Sequence, residues 1–491
     1  MAELALPVLH PRFRNQGEFR IRTSARMLPF RFTALDAARL VATNLVGEHT
    51  VLNREELLGL ATGQLDPQSP LYAELVSKHF LLDGTGQSAL DLLAAKYATR
   101  LAHLAEFTGL HIFVVTLRCD HSCPYCQVSR VSSDKAAFDM SIETADRAIE
   151  TMFRSPNPCI KVEFQGGEPL LNFELIRHIT LAVKSRNVTE QRNVQFVIAT
   201  NLAQMTDEVL EFCREHSVHI STSLDGPAAL HNANRPRPGN DSYQRAVAGI
   251  NRCRESLGHD SVAALMTTTT RSLSQPEAII DEYVVQGFSS IFLRWLSPYG
   301  FARKSERALG YPVREWNAFY ERGLRYILTL NRNGVPLRED YAAIVLRKVL
   351  TPFAGNYVDL QSPAALGIGV AVYNYDGDVY ASDEGRMLAV SGDTTFRLGS
   401  LHTDSYESLF GSERLIDLLD ATMTEATPQC VDCAFEPWCG TDPAFHQATQ
   451  GDPVGHRPTS AFCARNMFVF RLLVSLLEDD PEAREVLESW L

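Results

Sequence analysis

Residues 114–130 read VVTLRCDHSCPYCQVSR, an apolar strand-length run that breaks into three closely spaced cysteines. The run begins earlier, as HIFVVTLR (111–118), and its β-branched and aromatic content predicts a buried strand. Cys119, Cys123 and Cys126 then occupy the loop that follows, in the spacing Cys-x₃-Cys-x₂-Cys. Thiolates are the usual ligands of iron–sulfur clusters. Three of them hold three irons of a cubane and leave the fourth open to a chelating group, whereas a structural metal site closes its shell. By spacing alone a zinc site remains open, completed by His121 or by a distant residue.

Apolar strand-length runs recur after this segment: KVEFQGG (161–167), VQFVIATN (194–201), HISTSLDG (219–226), VAALMTTTT (262–270) and SIFLRWLS (290–297). Helical patterns such as SIETADRAIETMF and NFELIRHITLAVKS separate most of them. The alternation predicts an α/β fold with a parallel sheet, in the form of a partial (β/α)₆ TIM-like barrel. Chemistry in such barrels gathers at the C-terminal strand ends, and there the polar motifs fall. Strand two ends in Gly166-Gly167-Glu168-Pro169 and strand three in Thr200-Asn201. Strand four carries Ser223-Leu224-Asp225-Gly226-Pro227, with His231 and Arg235 beyond. Taken singly, each is a common turn or a solvated charge.

The 491 residues exceed one ordinary core. Boundaries suggested by pattern are an N-terminal extension (1–26), a winged-helix-like domain (27–85), a helical linker (86–110), the barrel (111–300), a helical bridge (301–365), a cysteine-rich domain (366–470) and a C-terminal helix (471–491). In 27–85, three short strands precede two helices, the first with Asn53 and Glu56 in capping-box spacing. No stretch has the ~20 apolar residues of a membrane span, and the N-terminus lacks the order of a secretory signal. A cytoplasmic location is therefore expected. The net charge of −13 argues against non-specific nucleic-acid binding. Residues 26–85 carry five basic and seven acidic side chains, so this part shows no DNA-binding footprint.

Ten cysteines without a secretory signal do not read as a disulfide set. Cys159, Cys213 and Cys253 are scattered, as small buried hydrophobes are. Cys430-x₂-Cys433-x₅-Cys439, with Cys463 farther on, is a set of four that either zinc or a [4Fe–4S] cluster would satisfy.

The three-cysteine loop with Tyr125 before its last cysteine resembles the signature of radical S-adenosylmethionine (SAM) enzymes. The order of GGEP, the strand-three and strand-four motifs and Arg235 behind it is similar too. The resemblance covers 110–300. It implies a [4Fe–4S] cluster on Cys119, Cys123 and Cys126. It implies SAM contacts from Tyr125, Gly166, Gly167, Glu168, Ser223, Asp225, Arg235 and Leu293. The implied chemistry is one-electron cleavage of SAM to a 5′-deoxyadenosyl radical, which abstracts a substrate hydrogen.

The C-terminal cysteines resemble the SPASM/twitch extension of peptide-modifying relatives, with departures. Ser382 and Pro443 stand where the family has cysteines of a first auxiliary cluster. One auxiliary [4Fe–4S] cluster, on Cys430, Cys433, Cys439 and Cys463, is therefore implied. Asp383 falls where sulfatase-maturing relatives have a general base; a solvated hairpin aspartate is the plainer account. The phrases LVATNLVGEHTVLN, LRWLSPYGFA and CGTDPAFHQATQGDPVGHRPTSAFC are most similar to the His-Xaa-Ser system maturases of ribosomally made peptides. That resemblance implies a precursor peptide whose leader binds the N-terminal domain, a side-chain crosslink as product, and an external electron donor such as flavodoxin or ferredoxin, with no nucleic acid and no membrane as partner. Formylglycine formation, peptide epimerisation and a non-catalytic zinc-binding regulator are the rival readings.

Overall fold

The computed structural model describes residues 25–83, 87–128, 134–355 and 357–491. The expected N-terminal extension, but for its last two residues, lies outside them. The chain divides into two compact units. Of the described residues, the first unit comprises those up to Leu101 together with 348–354 and 431–438, and the second comprises the others.

In the first unit, β1 (Phe30–Ala34), β2 (Arg39–Asn44) and β3 (His49–Asn53) form an antiparallel sheet with β1 and β3 at its edges. Helix α1 (Arg54–Thr62) starts directly from β3. Asn53 accepts from the amides of Glu55 and Glu56, and the Glu56 carboxylate accepts from the Asn53 amide, so the capping box is complete. Helix α2 (Pro70–Ser77) follows, with Ser69 as N-cap and proline at its start. Leu52, Leu60, Leu75 and Phe80 form the core between sheet and helices.

Two later segments complete this unit. Arg31 of β1 pairs with Glu436 at 2.9 Å, and the Trp438 indole donates to the Gly47 carbonyl. Arg100, on the long helix α3 (Gln87–Glu106), is buried and donates to the carbonyls of Val46, Lys348 and Pro437. A single guanidinium thus ties three stretches of chain together, since its fork offers five donors. The boundaries differ from the sequence-based division at 85, because residues 431–438 fold onto β1 and β2.

The second unit is built on β4 (Leu110–Thr116), β5 (Cys159–Gly166), β6 (Asn193–Ala199), β7 (Val218–Ser223) and β8 (Val262–Leu265), all parallel. Between them run α4 (Ile142–Met152), α5 (Phe173–Glu190), α6 (Asp207–His216) and α7 (Ser242–Leu257), and α8 (Pro276–Val285) follows β8. Val114, Phe164, Ile198 and Ile220 lie buried along the strands.

The expected sixth strand is mostly absent. Only Ser290–Ile291 of the run 290–297 is strand, and it pairs with Arg338–Glu339 rather than with β8. The Leu293 amide donates to the buried Glu339 carboxylate, and the Arg294 amide turns back to Phe292. The main sheet is extended instead on its other side. After helices α9 (Val313–Arg332) and α10 (Asp340–Leu350), β9 (Val370–Tyr373) joins parallel to β4, and β10 (Asp378–Tyr380) and β11 (Arg397–Ser400) add antiparallel strands. The sheet is therefore mixed, in the order β8-β7-β6-β5-β4-β9-β10-β11. Helices α11 (Asp383–Ala389), α12 (Pro443–Gln450) and α13 (Ala461–Asp479) complete the unit. Among the described residues, no helix is long and apolar enough to cross a membrane.

Candidate active site

The three cysteines leave the C-terminal end of β4 together, each half-buried and none in a disulfide. Burial pushes the Cys123 thiol up to about 12 and raises that of Cys119 as well. A buried thiol of that kind becomes a thiolate when a cation compensates it. The His121 amide already donates to Cys119 Sγ at 3.4 Å. The Cys119 sulfur, an Asp120 oxygen and a His121 nitrogen lie within 4.8 Å of one another. His121 nevertheless does not serve as a ligand here. Its Nδ1 lies 2.9 Å from Asp120 Oδ1 and its Nε2 lies 3.0 Å from Ser242 Oγ. With both ring nitrogens engaged, the donor set left in the loop is three sulfurs, which suits an iron–sulfur cubane better than zinc closed by His121.

A one-way hydrogen-bond chain holds the loop to the end of β7. The Asp225 amide donates to His231 Nδ1 at 3.3 Å, which places the ring proton on Nε2. Burial pushes His231 down to about 4, so the ring is neutral. His231 Nε2 then donates to Ser242 Oγ at 3.1 Å, the serine hydroxyl donates to His121 Nε2, and His121 Nδ1 donates to Asp120. Ser242→Ala removes the middle of this chain. Iron retention is expected to fall about tenfold, the cost of losing a supporting contact around a metal ligand. Iron content after desalting, beside an unchanged circular dichroism spectrum, checks it.

Asp225 itself is fully buried. It accepts the Tyr125 hydroxyl at 2.6 Å and the Arg235 Nε at 3.3 Å, and the Arg235 guanidinium stands 5.3 Å over the Tyr125 ring. Tyr125, Asp225 and Arg235 are thus brought together as a clamp on the cysteine loop. The glycines at the end of β5 are there for backbone approach. A Cβ on Gly166 would lie 2.0 Å from the Thr116 carbonyl, and one on Gly167 would lie 2.2 Å from that of Arg118. Glu168 is fully buried beside them, accepting from the amides of Leu170 and Asn201 and the hydroxyl of Thr200. Burial pushes its carboxyl up to about 7 against those donors. Sequence reasoning missed Gly300, although its Pro-Tyr-Gly turn was a visible signal. Its φ is +57°, the Phe301 amide donates to the Cys126 carbonyl at 2.8 Å, and a Cβ would meet Gln127 O at 2.2 Å.

A cavity of about 870 Å³ opens inside the strands, lined from β4, β5, β6, β7, β8 and β9. Gly166 and Ser223 lie on its wall, Gln127 adjoins the third cysteine, and Asp383 faces it from the start of α11. Leu293 does not line it. Its side chain packs toward Gly323 of α9, while Phe292 and Arg294, its neighbours of opposite facing, reach the cavity. Asp383 accepts from Arg386 at 3.2 Å, and burial raises its carboxyl despite that cation. Glu384 beside it is pushed up to about 8, by burial first and then by Asp359, Asp383 and Asp442. Glu384 gave no sequence signal beyond being next to Asp383, and Asp359 and Asp442 gave none.

The chain matches the Radical SAM superfamily over residues 113–282. This span holds the cysteine loop, the glycine pair and the Asp225 clamp. Residues 113–282 form a radical SAM domain. The serine-type anaerobic sulfatase-maturating enzyme of Bacteroides thetaiotaomicron is 22% identical over 377 residues, covering 72% of this chain and 88% of that one. The solved structure titled native anSMEcpe with bound AdoMet superposes with a TM-score of 0.64 at 16% identity, covering 78% of this chain and 99% of that one. Streptococcus suis SuiB bound to precursor peptide SuiA superposes at 0.52 and 12%, covering 88% and 98%. Beyond this radical SAM domain the chain extends into a cysteine-rich, SPASM-like region.

In that extension Ser382 and Pro443, two of the positions read as lacking a family cysteine, are at helix starts. Ser382 is the N-cap of α11, its hydroxyl accepting from the Gly385 amide at 3.0 Å. Pro443 is the first residue of α12, after the N-cap Asp442. Among the four remaining cysteines, Cys439 accepts from Asn466 Nδ2 of α13 at 3.9 Å, and Cys463 lies in the first turn of that helix. Cys430 belongs to the same unit; Cys433 belongs to the first. All four are half-buried and none is in a disulfide.

Proposed function

We propose that this radical SAM enzyme matures a ribosomally made precursor peptide, and that it does so in the cavity inside the strands. The observation that carries the reading is that one cavity has Gly166 and Ser223 on its wall beside the cysteine loop and Asp383 facing in from the extension. Cys119, Cys123 and Cys126 would hold the cluster, with SAM against the Gly166–Glu168 turn, Ser223 and Arg235. Cys430, Cys433, Cys439 and Cys463 would hold one auxiliary cluster. These cofactors, when bound, supply reductive cleavage of SAM and removal of a substrate hydrogen.

The chain's own residues do the rest. The Tyr125–Asp225–Arg235 clamp fixes the loop, and the glycine pair lets backbone come close to the cofactor. Asp383 accepts the proton that the oxidised substrate must lose. The leader would add a strand to the edge of β1, where Phe32 is 51% exposed. A peptide-bound structure of SuiB, which shares the fold, supports a peptide as substrate. An external flavodoxin or ferredoxin would supply electrons, and the cytoplasm is the compartment that keeps such thiols reduced.

A crosslink between side chains is the product favoured by the N-terminal sheet and by the loss of the first auxiliary cluster. Formylglycine formation is the second reading, supported by the place of Asp383 and by similarity to the Bacteroides sulfatase maturase across most of the chain. Co-expression with a neighbouring small peptide separates them. Loss of a hydrogen pair without reactivity toward hydrazides means a crosslink; a hydrazide-reactive aldehyde means formylglycine; an unmodified peptide counts against both.

Asp383→Asn gives a further check. Peptide product is expected to fall by about 10²- to 10⁴-fold while 5′-deoxyadenosine still forms. In the parent enzyme the base must be ionised. Because burial holds the Asp383 carboxyl above the usual range, product formation should decline as the pH is lowered through that raised value. The variant should lose this acid limb.

A further inference from the structure

Outside the barrel lumen lies a smaller cavity of about 180 Å³, between the chain that follows Ile291, the start of α9 and helices α12 and α13. Its walls include Trp295, Tyr311, Trp316 and Phe445, with Thr449 exposed at the rim. Arg465 of α13 also lines it and is only 4% exposed. The guanidinium carbon stands 3.5 Å from the Trp295 ring centroid, so one face of the group is stacked. Its in-plane donors are another matter. Nε and Nη2 are buried and have no hydrogen-bond partner among the described residues.

Those two nitrogens share one edge of the guanidinium, the edge that grips a carboxylate with two parallel bonds. Leaving both unpaired in an aromatic enclosure is unfavourable, because each nitrogen gives up water without gaining a partner. Asp442 attracts the charge through space, yet leaves this edge free. We propose that this cavity is a recognition site for a carboxylate carried on an aromatic or similarly sized apolar body. Such a group has two sources, the C-terminal residue of a peptide or a free small acid. The apolar body would fill the space among Trp295, Tyr311, Trp316 and Phe445 while the carboxylate closes the Nε–Nη2 edge. The site is separate from the cavity assigned to SAM and the maturation chemistry, and it stands whether or not that assignment holds.

Calorimetry on the anaerobically reconstituted full chain tests it, with phenylacetate, N-acetylphenylalanine and phenylacetamide as probes. One or both acids should bind with a Kd below about 1 mM, and the amide at least about tenfold more weakly. Tighter binding of N-acetylphenylalanine assigns the site to a peptide end; tighter phenylacetate assigns it to a free acid. Arg465→Gln should abolish the preference for acid over amide. Should that variant fail to fold, Thr449→Trp, on an exposed position at the rim, should block the space and weaken acid binding about tenfold with an unchanged circular dichroism spectrum. Absence of binding by either acid up to about 10 mM, equal binding of the amide, or full binding in Thr449→Trp would overturn the proposal.

Discussion

Alanine at Cys119, Cys123 or Cys126 is expected to reduce 5′-deoxyadenosine release from SAM by more than about a hundredfold, beyond what loss of a merely supporting contact costs. The reason is that each sulfur leaves the same loop at the end of β4, and His121, the nearest alternative ligand, is committed to Asp120 and Ser242. A cubane held by two sulfurs has no substitute close by. Alanine at Cys159, by contrast, should leave SAM cleavage unchanged, because that cysteine, read from sequence as buried, is in fact exposed at the start of β5, at the opposite end of the strand from the glycines. Anaerobic reconstitution, dithionite reduction and chromatography of the nucleoside product give the comparison. Equal losses at Cys119 and Cys159 would mean that thiol content in general, rather than this loop, limits the reaction.

The second large effect is expected at Gly166. Its φ of +151° is costly for any side chain, and a Cβ would sit 2.0 Å from the carbonyl oxygen of Thr116. Backbone cannot swing aside as a flexible side chain can, so β4 and β5 would have to separate where the cysteine loop begins. Gly166→Ala should destabilise the protein by about 3 kcal/mol or more and lower iron content with it. Gly334→Ala supplies the contrast. That glycine has a φ of +81° but nothing within 4 Å of its would-be Cβ, so only the backbone term remains, about 1 kcal/mol. Thermal unfolding of the two variants separates strain from collision. Similar melting temperatures would show that the close approach of β4 and β5 is not required.

Much of this site is legible in the sequence. The alternation of apolar runs with helices located β4 to β8, and the capping box at Asn53 and Glu56 marked the start of α1 from residue types alone. The cysteine loop and the motifs at successive strand ends were legible because each depends on local spacing. What escaped reading depends on distant partners. Nothing in GVAVYNYDGDVYAS says that Val370–Tyr373 will pair with β4 from the far side. The run SIFLRWLS has the apolar content of a strand, yet the buried carboxylate of Glu339 captures the Leu293 amide and ends the strand. That turn also decides which side of the run faces the lumen, and so places Phe292 and Arg294 there instead of Leu293.

The cysteine losses were visible as losses, but their replacements were not interpretable. Ser382 and Pro443 look arbitrary in sequence, and only the fold shows each at a helix start, where serine and proline are favoured. Likewise Glu384 and Asp442 are ordinary acids on paper. Burial beside Asp383 and Asp359 is what pushes them toward neutrality.

The electron paramagnetic resonance spectrum of the dithionite-reduced chain, recorded with and without SAM, tests the centre of this account most directly. A reduced cubane signal whose g values move when SAM is added is the predicted result, because the cofactor takes the iron position that three cysteines leave open. A cubane signal that SAM leaves unaltered, or zinc in place of iron at Cys119, Cys123 and Cys126, would contradict it.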